Sequence, residues 1–311
     1  MHGILLVDKP EGVTSNDVVR TVKRIVKPAK VGHSGTLDPA ASGLMIILIG
    51  SGTRTLDYLN ENRKSYRLLI RLGEETDTDD RDGTVIRTAD PSGIGLDTIE
   101  DFLKRYRGVI YQVPPHFSAI KREGVPLYKL ARKGVFPELS PRKVEIFFLA
   151  VIRYEVPFLE LEMMCSRGTY ARSVARDIGR DLGVGGRLEN LRRNACGDFR
   201  VEDALTLDQI QAGGRDALST NLITLRAALS HIPDIEVSLS EIGRLIQGNS
   251  ITLQRSRLPQ PVPFANLSQR LFKVVPRTGD LLILVRPEPK ASEIVICPIR
   301  VLDMRDDKPK D

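Results

Sequence analysis

The sequence predicts a mixed α/β (α+β) fold, and three observations carry that prediction. Short apolar runs alternate with stretches of helical period over roughly the first two-thirds of the chain. From about Ile232 onward only short strands and turns are read, in the manner of a small β-barrel. The length, 311 residues, exceeds one average domain and suggests a core followed by an appended module. The boundary is placed between residues 230 and 231.

Gly3–Val7 reads as a buried strand, and Pro10, Gly12 and Asn16 punctuate the turn after it. Val18, Val19, Val22, Ile25 and Val26 then share one face of a helix. Val31–Gly43 reads as a loop of small residues, Leu44–Ile49 as a strand bounded by glycines, and Thr53–Leu59 as helical. In Ser65–Leu72 the alternation of Tyr66, Leu68, Ile70 and Leu72 marks a strand, and Asp82-Gly83 offers a hairpin turn before Thr84–Arg87. Residues 97–107 form a short amphipathic helix. Pro114–Pro141 is a basic insertion with prolines at both ends and a helix over Leu127–Arg132. Val144–Arg153 and Phe158–Cys165 are strands, Thr169–Leu182 is a helix stopped by Gly183, and a weakly patterned linker runs through Gly213-Gly214.

Composition narrows the function classes. Cys165, Cys196 and Cys297 are far apart and form no C-x-x-C pair, which argues against a zinc site or disulfide framework and fits a reducing cytoplasm. The N-terminus lacks a basic-then-apolar signal pattern, and the longest apolar runs, Leu44–Ile49 and Leu281–Val285, are too short to span a bilayer. A soluble protein is expected. The net charge of +6 is unevenly spread: residues 101–200 hold nineteen Lys and Arg against eleven Asp and Glu. Such a stretch suits a polyanionic partner, or else a solvated basic surface.

Several motifs fail on inspection. With Gly83 at the sixth place of a calcium loop, Thr78 and Ala89 fall at the first and twelfth, where acidic ligands are required. The run Asp77–Gly83 is read as a turn. Gly183–Gly186 lacks the Gly-Lys-Ser/Thr of a phosphate loop, and no G-x-G-x-x-G joins a strand to a helix. Neither a nucleotide cofactor nor a metal is expected.

Three segments remain as candidates for chemistry. In Gly32-His33-Ser34-Gly35-Thr36-Leu37-Asp38-Pro39, small residues admit close approach of another backbone, and Asp38 is placed to act as a nucleophile. Aspartate before proline more commonly makes a turn or a helix cap, and a lone His33 is more commonly structural. In Lys64-Ser65-Tyr66-Arg67, Tyr66 is either a stacking platform for a base or the first core residue of its strand. In Cys165–Arg172 a strand meets a helix on which Arg172, Arg176 and Arg180 form one stripe, either functional or a solvated face paired with Asp177 and Asp181. Leu191-Arg192-Arg193 supplies core plus phosphate contacts, or only a basic strand edge.

In order and spacing these segments resemble bacterial TruB-type tRNA pseudouridine synthases. The resemblance runs from Gly3–Pro10 and Thr14–Asp17 through Gly32–Pro39, Lys64–Arg67, Leu72-Gly73, Thr76–Thr78, Pro114–Ala119 and Leu127-Tyr128 to Cys165–Arg172 and Leu191–Arg193. It implies a pseudouridine-synthase core with a mixed central sheet and a PUA-like β-barrel over residues 231–311, where Gly248 and Pro298 fit. Leu281–Val285 is more apolar than such a module leads one to expect. The resemblance implies that Asp38 is the catalytic aspartate, Tyr66 the stacking tyrosine and Arg172 the partner of the aspartate. It implies that Tyr170 and Leu191 line the uridine pocket, that His33 lies near flipped-out nucleotides, and that Lys9 and Pro10 support the loop. The basic insertion matches a mobile thumb. The implied substrate is a uridine of the T stem-loop of tRNA, handled by a monomer without cofactor. Two rivals are a non-catalytic RNA-folding protein and a nucleoside glycosidase, the latter lacking a second carboxylate among these motifs.

Overall fold

The computed structural model describes residues 1–259, 264–276, 281–290 and 293–305. Strands β1 (Gly3–Lys9) and β3 (Ser42–Ile49) are buried on both faces, so they read as unbroken apolar runs rather than as alternations. They pair antiparallel from Gly3 opposite Ile49 to Lys9 opposite Gly43. Between them, α1 (Ser15–Val26) starts at a reciprocal cap in which Thr14 and Asp17 each satisfy the other's backbone N–H. Val18, Val22 and Val26 are buried, and Val19 and Ile25 pack against the same core. The region expected as a loop contains a short strand, β2 (Val31–His33), paired with β3. The helix expected over Thr53–Leu59 is instead two 3₁₀ turns, Gly50–Arg54 and Leu56–Tyr58, closed by i to i+3 bonds from the Thr55 N–H to Gly52 and from the Tyr58 N–H to Thr55.

The chain continues through β4 (Arg63–Leu72), the hairpin β5 (Glu74–Thr76) and β6 (Val85–Thr88), α2 (Leu96–Leu103) and β7 (Gly108–Gln112). The basic insertion folds as a tiny hairpin, β8 (Lys121–Arg122) with β9 (Val125–Pro126), leading into α3 (Leu127–Ala131). Long strands β10 (Arg142–Glu155) and β11 (Phe158–Ser166) precede α4 (Ala171–Asp181) and β12 (Gly186–Cys196). After β13 (Phe199–Arg200) and β14 (Leu205–Thr206), the stretch expected as a linker is a helix, α5 (Leu207–Thr220), opened by a Thr206–Gln209 capping box and kinked at Gly214. Then come α6 (Leu225–Ala228), α7 (Leu239–Ile246), β15 (Ile251–Gln254), β16 (Phe272–Val274), β17 (Leu281–Lys290) and β18 (Glu293–Asp303).

One mixed sheet of ten strands organises the molecule, in the order β14-β1-β3-β12-β4-β11-β10-β7, with β13 on β12 and β2 on β3. Its front face carries α1, α2, α4 and α5 over a core that includes Leu5, Val7, Met45, Ile47 and Leu68. Its back face, including Ile4, Leu6, Leu44 and Ile46, packs against α6 and against Leu282, Leu284 and Leu302 of the C-terminal strands. The mixed sheet agrees with the expected class. The expected small β-barrel does not appear among the described residues. The tail forms an open four-stranded sheet, β15-β18-β17-β16, whose outer strands do not meet. Those outer strands are only four and three residues long, and β17 is buried on both faces. The tail sheet therefore lies against the main sheet instead of curling upon itself.

Helix α4 approaches β12 closely through two glycines. A Cβ added at Gly179 would sit 2.2 Å from the backbone nitrogen of Gly186. Gly179→Ala is therefore expected to push α4 off the sheet and to cost about 1–3 kcal/mol, as overpacked sites do. Urea unfolding checks this, and a midpoint equal to that of the parent would show that the helix lifts at no cost.

Candidate active site

The site grows from the β1–α1 corner. Lys9 is fully buried, and its ammonium donates to the carbonyls of Pro10, Val13 and Pro39 at 2.8, 2.8 and 3.2 Å. Ser15, first residue of α1, donates its hydroxyl to the Leu37 carbonyl at 2.8 Å and accepts from the Leu37 N–H at 2.9 Å. One lysine and one hydroxyl thus satisfy backbone groups of an irregular, partly buried loop. Within it the Ala41 N–H donates to the Asp38 carbonyl at 3.0 Å, closing a turn with Pro39 at its second position. The turn reading of Asp-Pro is therefore true of the backbone while the carboxylate remains free to leave the loop.

That carboxylate meets Arg172, with Nη2 2.9 Å from Asp38 Oδ2. The Arg172 side chain is 7% exposed and Asp38 45%. The same guanidinium lies 3.6 Å from Asp80 and donates to the carbonyls of Thr78 at 3.3 Å and Phe117 at 2.9 Å. Arg176 pairs with Asp79 and Asp177, and Arg180 with Glu75. Of the pairing expected with Asp177 and Asp181 only Arg176 with Asp177 forms; the stripe otherwise reaches across to the acidic turn after β5 through Arg172 and Arg176 and to β5 itself through Arg180. Burial pushes the carboxyls of Asp79 and Asp80 upward, against the downward pull of Arg176 and Arg172.

A cavity of about 620 Å³ opens beside the Asp38–Arg172 pair. Tyr66 from β4, Tyr170 just ahead of α4 and Leu191 from β12 form its walls. Burial raises the Tyr66 phenol to about 12 and Tyr170 above its ordinary value, so both rings are neutral. Phe117, Ser118, Tyr128 and Arg132 of the basic insertion close another side, and Lys64 and Asp80 line the floor. Lys64, Asp80 and Tyr128 carried no role in the sequence reading, and Arg132 only that of a basic residue of the insertion that meets phosphate. The signal for Asp80 was present as complementarity between the acidic run and the arginine stripe, once the two segments are known to touch.

His33 sits on β2 and is not part of the cavity wall; burial lowers its ring below the ordinary histidine range, and its Nδ1 has no hydrogen-bond partner. Pro10 contributes only its carbonyl to Lys9. Leu191-Arg192-Arg193 lies in the middle of the sheet, not at an edge. Arg193 is buried and donates to the carbonyls of Leu44 and Gly35, and Arg192 binds Asp8 through two hydrogen bonds, so both are engaged within the protein. Among the described residues no group of three or more His, Cys, Asp or Glu is arranged to hold a metal ion.

Two family descriptions match consecutive parts of the chain: TruB family pseudouridylate synthase (N terminal domain) over residues 23–171, and tRNA pseudouridylate synthase B C-terminal domain over residues 172–230. The chain is 40% identical over 306 residues to tRNA pseudouridine synthase B of Rhodospirillum rubrum, covering 98% of this chain and 97% of that one. It is 41% identical over 248 residues to the protein of the same name from Syntrophotalea carbinolica, covering 80% and 81%. A Cbf5-Nop10-Gar1 complex shares the fold with a TM-score of 0.72 at 24% identity, over 100% of this chain and 88% of that one. An H/ACA RNP bound to a substrate RNA containing 2'-deoxyuridine does so with a TM-score of 0.71 at 22% identity, over 98% and 86%.

The buried Lys9 supplies a pH test of the loop. Burial pushes its ammonium down from 10.5 to about 8, opposed by the Asp38 and Glu11 carboxylates. The unfolded chain keeps that proton up to about pH 10.4. Between about pH 8 and pH 10 the unfolded state thus binds more protons than the folded one, and this group's contribution to stability rises with pH. Wild type should gain stability relative to Lys9→Met across that window in urea unfolding. Parallel pH curves would contradict it.

Proposed function

The chain belongs to the TruB family of pseudouridylate synthases and is a tRNA-modifying isomerase; on that premise we propose that Asp38 is its nucleophile and a uridine of the T stem-loop its target. The observation that carries the assignment is the Asp38 carboxylate held 2.9 Å from Arg172 at a cavity walled by Tyr66, Tyr170 and Leu191.

The reaction breaks the N1–C1′ bond, turns the uracil and joins C5 to C1′. The C5 proton leaves and N1 gains one, so nothing is oxidised or reduced. A stacked uridine must first turn out of the RNA, at a cost of a few kcal/mol. Stacking on Tyr66, with Tyr170 and Leu191 closing the pocket, offsets that cost. The attraction between Arg172 and the Asp38 carboxylate strengthens as RNA excludes water and lowers the local dielectric. The carboxylate then attacks the sugar carbon or the base, or assists elimination of the base. His33 serves RNA flanking the pocket, and Lys9 with Pro10 holds the loop. We place the enzyme in the cytoplasm as a monomer without cofactor. We assign residues 1–230 to catalysis and residues 231–311 to an RNA-binding unit in the position of a PUA module. Among the described residues no helix is long and apolar enough to cross a membrane. The relatives, named tRNA pseudouridine synthase B, favour this reading over a protein that only helps RNA fold.

Asp38→Asn should abolish pseudouridine formation on unmodified tRNA while changing tRNA affinity by less than about threefold, since an amide of the same shape is no nucleophile. Mapping of the modified position reads both the chemistry and the T stem-loop assignment, and robust turnover by the variant would sink it.

The insertion carries the second test. Lys129 and Lys133 are exposed beside α3 and form no ion pair among the described residues. We propose that they contact phosphates. Replacing both with Ala should weaken binding and reduce the slope of log affinity against log salt by about one to two. An unchanged slope would remove the insertion from the phosphate interface.

A further inference from the structure

Strand β7 ends at Gln112, whose residue is only 2% exposed. Beyond Val113 the chain enters Pro114-Pro115, which carry no N–H and cannot extend a ladder. The Gln112 side chain turns toward the segment before α4. Its Nε2 donates to the Tyr170 carbonyl at 3.2 Å, and the Tyr170 N–H donates to its Oε1 at 2.8 Å. The amide thus gives the Tyr170 backbone the donor and acceptor that a neighbouring strand would give. Tyr170 is the N-cap of α4 and has no side-chain cap of its own. Two further groups of α4 reach back to the same root: Ser173 Oγ and Arg176 Nη2 each donate to the Val113 carbonyl at 2.9 Å. The Arg172 Nη2 that contacts Asp38 also donates to the Phe117 carbonyl.

We infer that Gln112 is a positioning residue for the isomerisation: by clamping the Tyr170 backbone to the root of the basic insertion, it sets where Tyr170 and Arg172 stand relative to Asp38. Gln112 does not line the cavity, so its effect passes through those two residues. This rests on the proposed role of Asp38. A displacement of about 1 Å at reacting groups costs on the order of 100-fold in rate, so a clamp two residues from Arg172 matters to chemistry more than to RNA affinity.

The test uses the full chain with unmodified tRNA. Gln112→Leu removes both hydrogen bonds, and its single-turnover rate at saturating tRNA should fall on the order of 10- to 100-fold, with tRNA affinity within about threefold of wild type. Gln112→Glu keeps the acceptor but, when ionised, has no hydrogen for the Tyr170 carbonyl. A buried carboxyl titrates above its usual range. Its rate relative to wild type at the same pH should therefore recover as pH falls from about 8 to about 5.5, when the acid form donates again, whereas Gln112→Leu should show no recovery. Should Gln112→Leu fail to fold, the pH-dependent recovery of Gln112→Glu decides the matter alone. A Gln112→Leu rate within about twofold of wild type, a loss confined to affinity, or a Gln112→Glu deficit unchanged by pH would each overturn the inference. Wild type and Asp38→Asn run alongside: an active wild type with an inactive Asp38→Asn and an unimpaired Gln112→Leu overturns the clamp alone. A wild type that makes no pseudouridine overturns the clamp together with the functional reading.

Discussion

The burial of Arg172 is the constraint on which the rest of the site depends. A guanidinium removed from water is costly unless its charge and its N–H groups are matched. Here the matching partners reach Arg172 of α4 from three separate places: Asp38 from the loop before β3, Asp80 and the Thr78 carbonyl from the turn after β5, and the Phe117 carbonyl from the basic insertion. No two of these are neighbours in sequence. Satisfying one side chain therefore fixes the relative positions of the Asp38 loop, acidic turn, insertion root and helix. Close packing of α4 through Gly179 on Gly186 sets the depth from which Arg172 reaches out.

This explains what the sequence made legible and what it hid. Regular elements with one buried face were readable from spacing alone: α1 from Val18, Val22 and Val26, and β4 from Tyr66, Leu68, Ile70 and Leu72. Strand β12 escaped because its ladder with β4 slips between Leu188 and Asn190 and again between Arg193 and Ala195. A bulge inserts one residue and breaks the two-residue period that marks a strand. Helix α5 escaped because Gly213-Gly214 interrupts it. The residues around Asp38 offered two readings, turn and nucleophile, and resemblance favoured the second. The backbone makes the turn, and the side chain faces Arg172. Only the ion pair across the fold, invisible in local sequence, shows that the two readings do not compete.

The apolar excess of Leu281–Val285 has a similar origin. As an outer strand of a self-contained module, β17 would alternate. Instead Ile283 and Val285 enter the core of the tail sheet with Ile251 and Phe272, while Leu282 and Leu284 join the back of the main sheet beside Ile4, Leu6, Leu44 and Ile46. Burial on both faces requires a continuous run. The same packing joins the tail to β1, the strand whose end carries Lys9, so the tail shares a core with the scaffold of the Asp38 loop.

The charge count needs the structure before it becomes an argument about RNA. The middle third holds the basic excess, yet many of its arginines are already paired within the protein. Arg172, Arg176, Arg180 and Arg187 are engaged with carboxylates, Arg192 with Asp8, and Arg193 with backbone carbonyls. Such charges build the fold and present little field to a polyanion. Lys121, Lys129, Arg132 and Lys133, by contrast, make no ion pair among the described residues, and all belong to the insertion beside the cavity. Arg132 lies 5.6 Å from the Tyr128 ring centroid, a contact that leaves its charge available. The basic excess thus divides in two. Arginines are paired within the protein, Arg172 with Asp38 among them, while unpaired cations gather on the insertion beside the cavity. That division, more than the net charge of +6, decides where the surface can attract a polyanion.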